Sequence, residues 1–398
     1  MEVTINEIAV VIIAYNRPAS LIRLLASLEK VRTDSVINLF IMIDGGGHPD
    51  VVKIAEKFHD PKFKTIVHHN AVNLGLKQNV LSSADIVDNF DAIIMLEDDL
   101  TVTPDIINYS ISTINHFAQQ KNVAGFALYA PEFNEFAKLP FIPLQNGYDN
   151  YPMQVGCSWG QIWTKRQWQN FRSWLNHNKQ FNPSDLIPTE VNNWPDSSWK
   201  KSFNLYLTEK NEYIIYPYES LTTNHATPGG THVKANTTLY QVKLPYKRRR
   251  DGRILHCSVE CPEISYDAFM EQSGTILNQC RLTSDSRITQ NLYNLKSPKY
   301  LANFTHAVVI DRSLVKEKSF SLTMLPLEQN YLQSNYCVRD SIPTIKVVEC
   351  DRYTFQSKPD RILYSLLMNM SITNVSLFKC IILSLIIEIK KKIWKQML

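Results

Sequence analysis

Glu97, Asp98 and Asp99 stand side by side directly after the apolar run Ile93-Ile94-Met95-Leu96. Three adjacent carboxylates repel one another, so folding alone does not select them at the end of a buried strand. A divalent cation offsets that repulsion, and a hard cation such as Mg²⁺ takes oxygen ligands while keeping waters and substrate phosphates in its shell. Thr103-Pro104-Asp105 follows with the marks of a helix start, proline lying near the first position. A solvated acidic turn is the plainer alternative, but it leaves the strand before and the helix after unexplained. The pattern points to a metal–phosphate site in a crevice at the carboxyl end of a strand.

The elements before it agree. Residues 8–14 are apolar throughout, as in a parallel strand covered on both faces. Tyr15-Asn16-Arg17-Pro18 turns the chain into a helix marked by Leu21, Leu24, Leu25 and Leu28. A second strand over 38–43 ends at Asp44-Gly45-Gly46-Gly47, and a short third covers 65–68. Asn73-Leu74-Gly75-Leu76 opens a helix to about residue 88, and strand 92–96 delivers the acids. Alternating strands and helices predict a right-handed, doubly wound α/β sheet. Arg17, Asp44 and Glu97–Asp99 all fall at carboxyl ends of its strands, where such sheets bind ligands. The glycine run does not fit Gly-x-Gly-x-x-Gly, yet it permits close backbone approach.

From about residue 121 the pattern changes. A strand is expected over 123–129, then a proline- and aromatic-rich stretch, then Gly156-Cys157-Ser158-Trp159-Gly160 leading into Ile162-Trp163 and a helix with Trp168, Phe171 and Trp174. Trp194-Pro195-Asp196-Ser197-Ser198-Trp199 leads into another helix through Leu207, and 213–216 reads as a strand before a Gly/Thr/Asn-rich loop to His232. After Lys247-Arg248-Arg249-Arg250 the signals weaken, which sets the expected boundary near 250. The expected organisation is a catalytic domain over 1–250 (nucleotide-binding half 1–120, acceptor-side half 121–250), an α+β accessory region over 251–370 and a basic amphipathic tail over 371–398. The tail runs from Leu377 to Ile387 as an apolar stretch broken by Lys379, then carries Lys390, Lys391, Lys392 and Lys395. It is shorter than the roughly 20 residues a spanning helix needs. It reads as an interfacial helix on an anionic membrane surface, or as a terminal helix docked on the protein's own core.

The chain has 398 residues, 44% of them hydrophobic, and a net charge of only +4, too balanced for wholesale nucleic-acid binding. Seven cysteines, an odd number, fit a reducing compartment. Cys257, Cys261 and Cys280 lack a fourth ligand at zinc spacing and read as structural thiols. The N-terminus shows no basic segment leading into a cleavable apolar one, so a cytoplasmic protein, peripheral on the inner face of the cell membrane, is expected.

Several of these features, in this order, resemble a family. Ala14-Tyr15-Asn16-Arg17, Ile43-Asp44-Gly45, Leu96-Glu97-Asp98-Asp99-Leu100-x-Val102-x-Pro104-Asp105, the 156–163 segment, Trp194-x-Asp196-x-x-Trp199 and Ser220-Leu221-Thr222-x-Asn224 through Gly229-Gly230-Thr231-His232 are similar to GT-A-fold glycosyltransferases. The resemblance is to the α-mannoside β-1,2-N-acetylglucosaminyltransferase branch and to bacterial family 2-like surface-glycan enzymes, over about residues 6–245. It implies a GT-A fold, a Rossmann-like doubly wound mixed sheet, with an α+β extension and an amphipathic helix at the C-terminus. It also implies an inverting, metal-dependent transfer from a nucleotide-sugar, in the first place a UDP-sugar, to a hydroxyl of a growing surface glycan (capsule, lipopolysaccharide or similar), with lipid-linked acceptors included.

Carried over by position, Asp99 binds Mn²⁺ or Mg²⁺, Asp98 lies near the ribose and metal shell, and Glu97 faces the donor sugar. Arg17 neutralises diphosphate charge, Asp44 contacts the base, and Lys77 adds positive charge near the phosphates. Trp159 lies in the donor site, Asp196 is the general base, and His232 on a closing loop reaches the metal or a phosphate. This chain departs from the pattern at Ser197, where the relatives carry a second acid, and at Pro195, which restricts Trp194. A helix N-cap is the alternative reading of Asp196. A nucleotidyltransferase, or a catalytically silent glycan-binding protein of the same fold, are the alternative functions.

Overall fold

In the computed structural model, the described residues are 7–117, 119–226, 237–245, 253–279, 287–311, 319–320, 324–332 and 344–351. The chain divides into units 1–353 and 354–398, and all described residues lie in the first. The expected tail and His232 lie outside the described residues.

Strand β1 (Ile8–Ala14) is buried at every position, and the parallel β2 (Ile37–Ile43) beside it alternates between buried and half-buried side chains. Between them runs α1 (Pro18–Leu28), opened by proline at its first turn. Its Leu21, Leu24, Leu25 and Leu28 face the sheet, and burying each contributes roughly 1.5–3 kcal/mol. Helix α2 (Pro49–Lys57) leads to β3 (Phe63–His69), and α3 (Gly75–Ala84) passes through a short 3₁₀ turn into β4 (Ala92–Glu97). The helix expected to about 88 therefore ends as an α-helix at Ala84.

After β5 (Leu100–Val102) and α4 (Ile106–Phe117) come β6 (Val123–Ala127), the small hairpin β7 (Phe133–Asn134) and β8 (Leu139–Pro140), and β9 (Asn150–Met153). Then β10 (Gln161–Thr164) precedes α5 (Lys165–His177), which a Thr164–Gln167 capping box opens. The order continues with α6 (Thr189–Asn192), α7 (Trp199–Lys210), β11 (Tyr213–Pro217) and β12 (Thr222–Asn224).

Among the described residues the main sheet has eight strands, in the order β3-β2-β1-β4-β10-β6-β11-β9. Strands β3, β2, β1 and β4 are parallel, while β10 runs antiparallel to both β4 and β6. The sheet is the mixed, doubly wound one that the GT-A fold requires. Alternate side chains of β1 feed two cores. Ala9, Val11 and Ile13 pack with Val80, Trp168, Phe171 and Phe203 on one face; Val10, Ile12 and Ala14 pack with Leu21, Leu24, Ile106 and Ile107 on the other.

Past residue 250 the chain returns to this sheet. The backbone amide of Cys257 donates to Asn150 Oδ1 at 3.0 Å, and Tyr266 makes backbone hydrogen bonds with Pro152 and Gln154 beside β9. Tyr266, Phe269 and Met270 belong to the same apolar cluster as Trp163. A second, four-stranded sheet follows, formed by β13 (Ile288–Gln290), β14 (His306–Asp311), β15 (Ser319–Phe320) and β16 (Thr344–Glu349). No helix among the described residues is long and apolar enough to cross a membrane.

Candidate active site

From β1 the chain winds outward to β2 and β3 on one side, while β4 joins β1 on the other. The carboxyl ends of β1 and β4 thus form a switch point at which the following loops diverge and leave a crevice. It measures about 490 Å³ and is lined by Arg17, Asp44, Glu97, Asp98, Asp99 and Trp159, with Glu135, Trp194, Lys200, Asn224 and Tyr240 on its other walls.

Arg17, directly before α1, crosses to the acids. Its Nη1 donates to Asp99 Oδ2 at 2.7 Å and its Nη2 to Asp98 Oδ1. Burial alone disfavours the guanidinium charge, but Asp98 and Asp99 outweigh it and hold Arg17 protonated beyond its ordinary range. One guanidinium does not balance three carboxylates. Burial pushes the Asp98 carboxyl up to about 6, against the pull of Arg17 and with added repulsion from Asp99. Burial, then repulsion from Asp99, pushes Glu97 up to about 8. The crevice floor therefore carries a demand for further positive charge.

The two-stranded pairing of β12 with β5 frames Asp99 from the far side. Asn224 Nδ2 donates to Asp99 Oδ1 at 3.3 Å, and the backbone amide of His225 donates to Asp99 O at 3.1 Å. His225 itself turns to Thr101, with Nε2 and Oγ1 2.7 Å apart.

Asp44 lines the crevice, but its carboxylate is heavily engaged. It accepts from the amides of Gly45, Leu74 and Gly75 at 2.8–3.0 Å and from Asn70 Nδ2 at 3.3 Å. It anchors the start of α3, where unpaired amides favour an anion. Trp159 is half-buried, packed edge-on against Tyr129 and tilted against Tyr240, each with centroids 4.8 Å apart. Gly160 beside it has φ +94, and a Cβ there would meet the Thr222 side chain at 2.8 Å.

Two expected residues stand elsewhere. Lys77 is not on the crevice wall; its Nζ donates to the backbone oxygen of Asp196 at 2.9 Å. Asp196, the expected base, also stands off the crevice wall, although Trp194, Pro195, Ser198 and Trp199 around it line the crevice. Its carboxylate is 86% exposed, lies outside the crevice lining and pairs with Lys201 at 3.0 Å, which holds it below the usual carboxylate range. Nor does Asp196 cap α7, whose N-cap is Ser198. The Lys201 cation holds the carboxylate in this position. Glu135, Lys200 and Asn224 are wall residues that the sequence reading did not single out. The signal available for Asn224 was its place in the Ser220–Asn224 stretch.

Residues 9–168 match the model of Glycosyl transferase family 2. No curated protein matches the chain. Among solved structures, S. aureus TarS 1–349 in complex with UDP-GlcNAc is similar at 12% identity and TM-score 0.38, over 58% of this chain and 62% of that one. TarS 1–349 in complex with UDP is similar at 15% identity and TM-score 0.35, over 55% and 60%. The chain spans less than two thirds of these TarS chains. The narrower likeness to the α-mannoside branch is not shown by these matches. The family match runs from β1 into α5, so residues 9–168 carry a glycosyl transferase family 2 domain, built on a mixed doubly wound sheet of the GT-A kind.

Proposed function

We propose that this enzyme is an inverting transferase that moves a sugar from a UDP-sugar to a hydroxyl of a growing surface glycan, with Mn²⁺ or Mg²⁺ as cofactor. The observation that carries the reading is the acid cluster at the switch point: among the described residues Glu97, Asp98 and Asp99 have Arg17 as their one ion-paired cation, with Lys200 acting on Glu97 from farther off. A nucleotide diphosphate brought with a divalent cation completes that charge balance. Arg17, already at the mouth of β1, is placed to share its charge with the diphosphate.

The donor set fits a hard cation. Asp99 and Asp98 offer oxygen only, and among the described residues no three His, Cys, Asp or Glu side chains come together as a complete cage. Mg²⁺ is commonly held by one or two carboxylates, with waters and substrate phosphates filling the shell. Asp99 would hold it, with Asp98 beside it; when bound, the ion supplies Lewis-acid stabilisation of the leaving diphosphate. Trp159 offers a ring face to the donor or acceptor sugar, and Asp44 fixes the α3 start that forms the donor wall.

The test is release of UDP from a panel of UDP-sugars by the full chain in Mn²⁺. Wild type is expected to release UDP slowly into water, and Asp99→Ala to lose at least about 10²-fold of that rate, as for loss of a principal electrostatic element. An Asp99→Ala protein that stays folded and releases UDP at the wild-type rate would remove Asp99 from the reaction.

A further inference from the structure

Direct displacement needs a base at the acceptor side, and Asp196 faces solvent. Among the described residues the crevice walls hold five carboxylates: Asp44, Glu97, Asp98, Asp99 and Glu135. Asp44 is held by the amides that open α3, and Asp98 and Asp99 are bound to Arg17. Glu97 is contiguous with them at the floor. Glu135 stands apart, on the turn between β7 and β8, and also lines a small apolar pocket of about 30 Å³ that adjoins the crevice. Its side chain is 28% exposed, open enough to meet a substrate.

Its surroundings suit a sugar hydroxyl. Lys200 Nζ donates to Glu135 Oε1 at 2.9 Å, while Oε2 has no hydrogen-bond partner among the described residues. The same ammonium lies 5.1 Å from the centre of the Trp194 ring and 5.9 Å from that of Trp159. Two indoles thus flank the ion pair, and indole faces stack on sugar rings.

The turn that carries Glu135 is rigid, as a base requires. Asn134 is fully buried, and its Oδ1 accepts from the amides of Phe136 and Ala137, each at 2.9 Å. Its Nδ2 reaches Phe269 O at 3.5 Å, so the segment beyond residue 250 buttresses the turn.

We propose that Glu135 is the general base of the transfer, with Lys200 holding its carboxylate toward the acceptor. The inference rests on the nucleotide-sugar reading above. The acceptor oxygen bonds to the anomeric carbon as its proton passes to Glu135 Oε2. The bond from that carbon to the diphosphate oxygen breaks, and its electron pair leaves on the diphosphate.

The test uses the full chain, the UDP-sugar that wild type hydrolyses fastest, and the variants Glu135→Gln, Glu135→Ala and Asp196→Asn. Water as acceptor also needs a base, so Glu135→Gln is expected to lose at least about 10²-fold in UDP release while keeping its UDP affinity and melting temperature. Azide carries no proton and needs no base. It should therefore raise UDP release and yield the glycosyl azide in Glu135→Ala, but leave wild type unchanged. Near-normal release by Glu135→Gln, or loss in Asp196→Asn with Glu135→Gln unaffected, would overturn the assignment and leave the transferase reading intact. Loss in Glu135→Gln together with UDP binding, or without azide rescue, would make Glu135 a structural residue and overturn it too. A wild type that neither binds nor hydrolyses any UDP-sugar would remove the donor reading and this inference with it.

Discussion

Glu97 shows how strongly one half-buried acid on the crevice floor can couple this site to pH. A glutamate titrates near 4.3 in an unfolded chain, and here burial and Asp99 push it up to about 8. Between those values the folded chain binds a proton that the unfolded chain has lost. Stability from this residue therefore falls as pH rises through that window, and the loss is complete above about 8. Glu97→Gln removes the penalty, so its melting temperature should exceed that of wild type at pH 9. The expected gain is at least about 2 °C, the size of a 1 kcal/mol effect in a large domain, and it should vanish below pH 4.5. Equal melting temperatures at pH 9 would contradict the burial of an unbalanced charge. The acid cluster was legible in sequence because like charges side by side after an apolar run have no packing explanation. Glu135 and Asn224 were not, because a lone polar residue in a turn or short strand looks like any solvated one until the fold brings it against Lys200 or Asp99. The exposure of Asp196 was not legible either, because spacing between tryptophans says nothing of which way a carboxylate points.

At the scale of elements, the crevice depends on how closely the loops after β1, β2 and β3 meet. Gly45 needs its missing side chain, since a Cβ there would lie 2.3 Å from Val72 C and 2.8 Å from Asn70 O. These are backbone atoms and cannot swing aside. Gly45→Ala should therefore cost about 1–3 kcal/mol, read as a lower urea midpoint; an unchanged midpoint would contradict the close approach. The close approach expected of the glycine run is thus realised between loops of the chain itself. Strands β1, β2 and β4 were readable because each is an apolar run in sequence order, with neighbours laid down by consecutive crossovers. Strand β10 was not, since Gln161–Thr164 is short and inserts between β4 and β6, both remote in sequence. The aromatic residues after it marked α5 clearly enough to hide the strand.

Across the whole molecule, the segment beyond residue 250 is held together internally by a buried charge cluster. Lys296 is fully buried, with Nζ 2.5 Å from Asp267 Oδ2, 3.3 Å from Glu271 Oε2 and 3.0 Å from Thr289 Oγ1. It joins β13 to the 265–272 turn, which in turn supports the Glu135 hairpin. Lys296→Met leaves two buried carboxylates without their cation and should cost about 3–5 kcal/mol in urea unfolding; a neutral effect would show that the cluster is not what holds this segment's turn and second sheet together. Sequence periodicity could not reveal such a joint, because its members lie on short elements and meet only in the fold. The central claim, that the switch-point acids serve a nucleotide donor through a cation, is tested most directly by calorimetric titration of the full chain with UDP and with GDP, each with and without Mn²⁺. The account predicts UDP binding that requires Mn²⁺ and is lost in Asp99→Ala. GDP binding in place of UDP would contradict the proposed donor, and binding of neither in Mn²⁺ would contradict the nucleotide reading altogether.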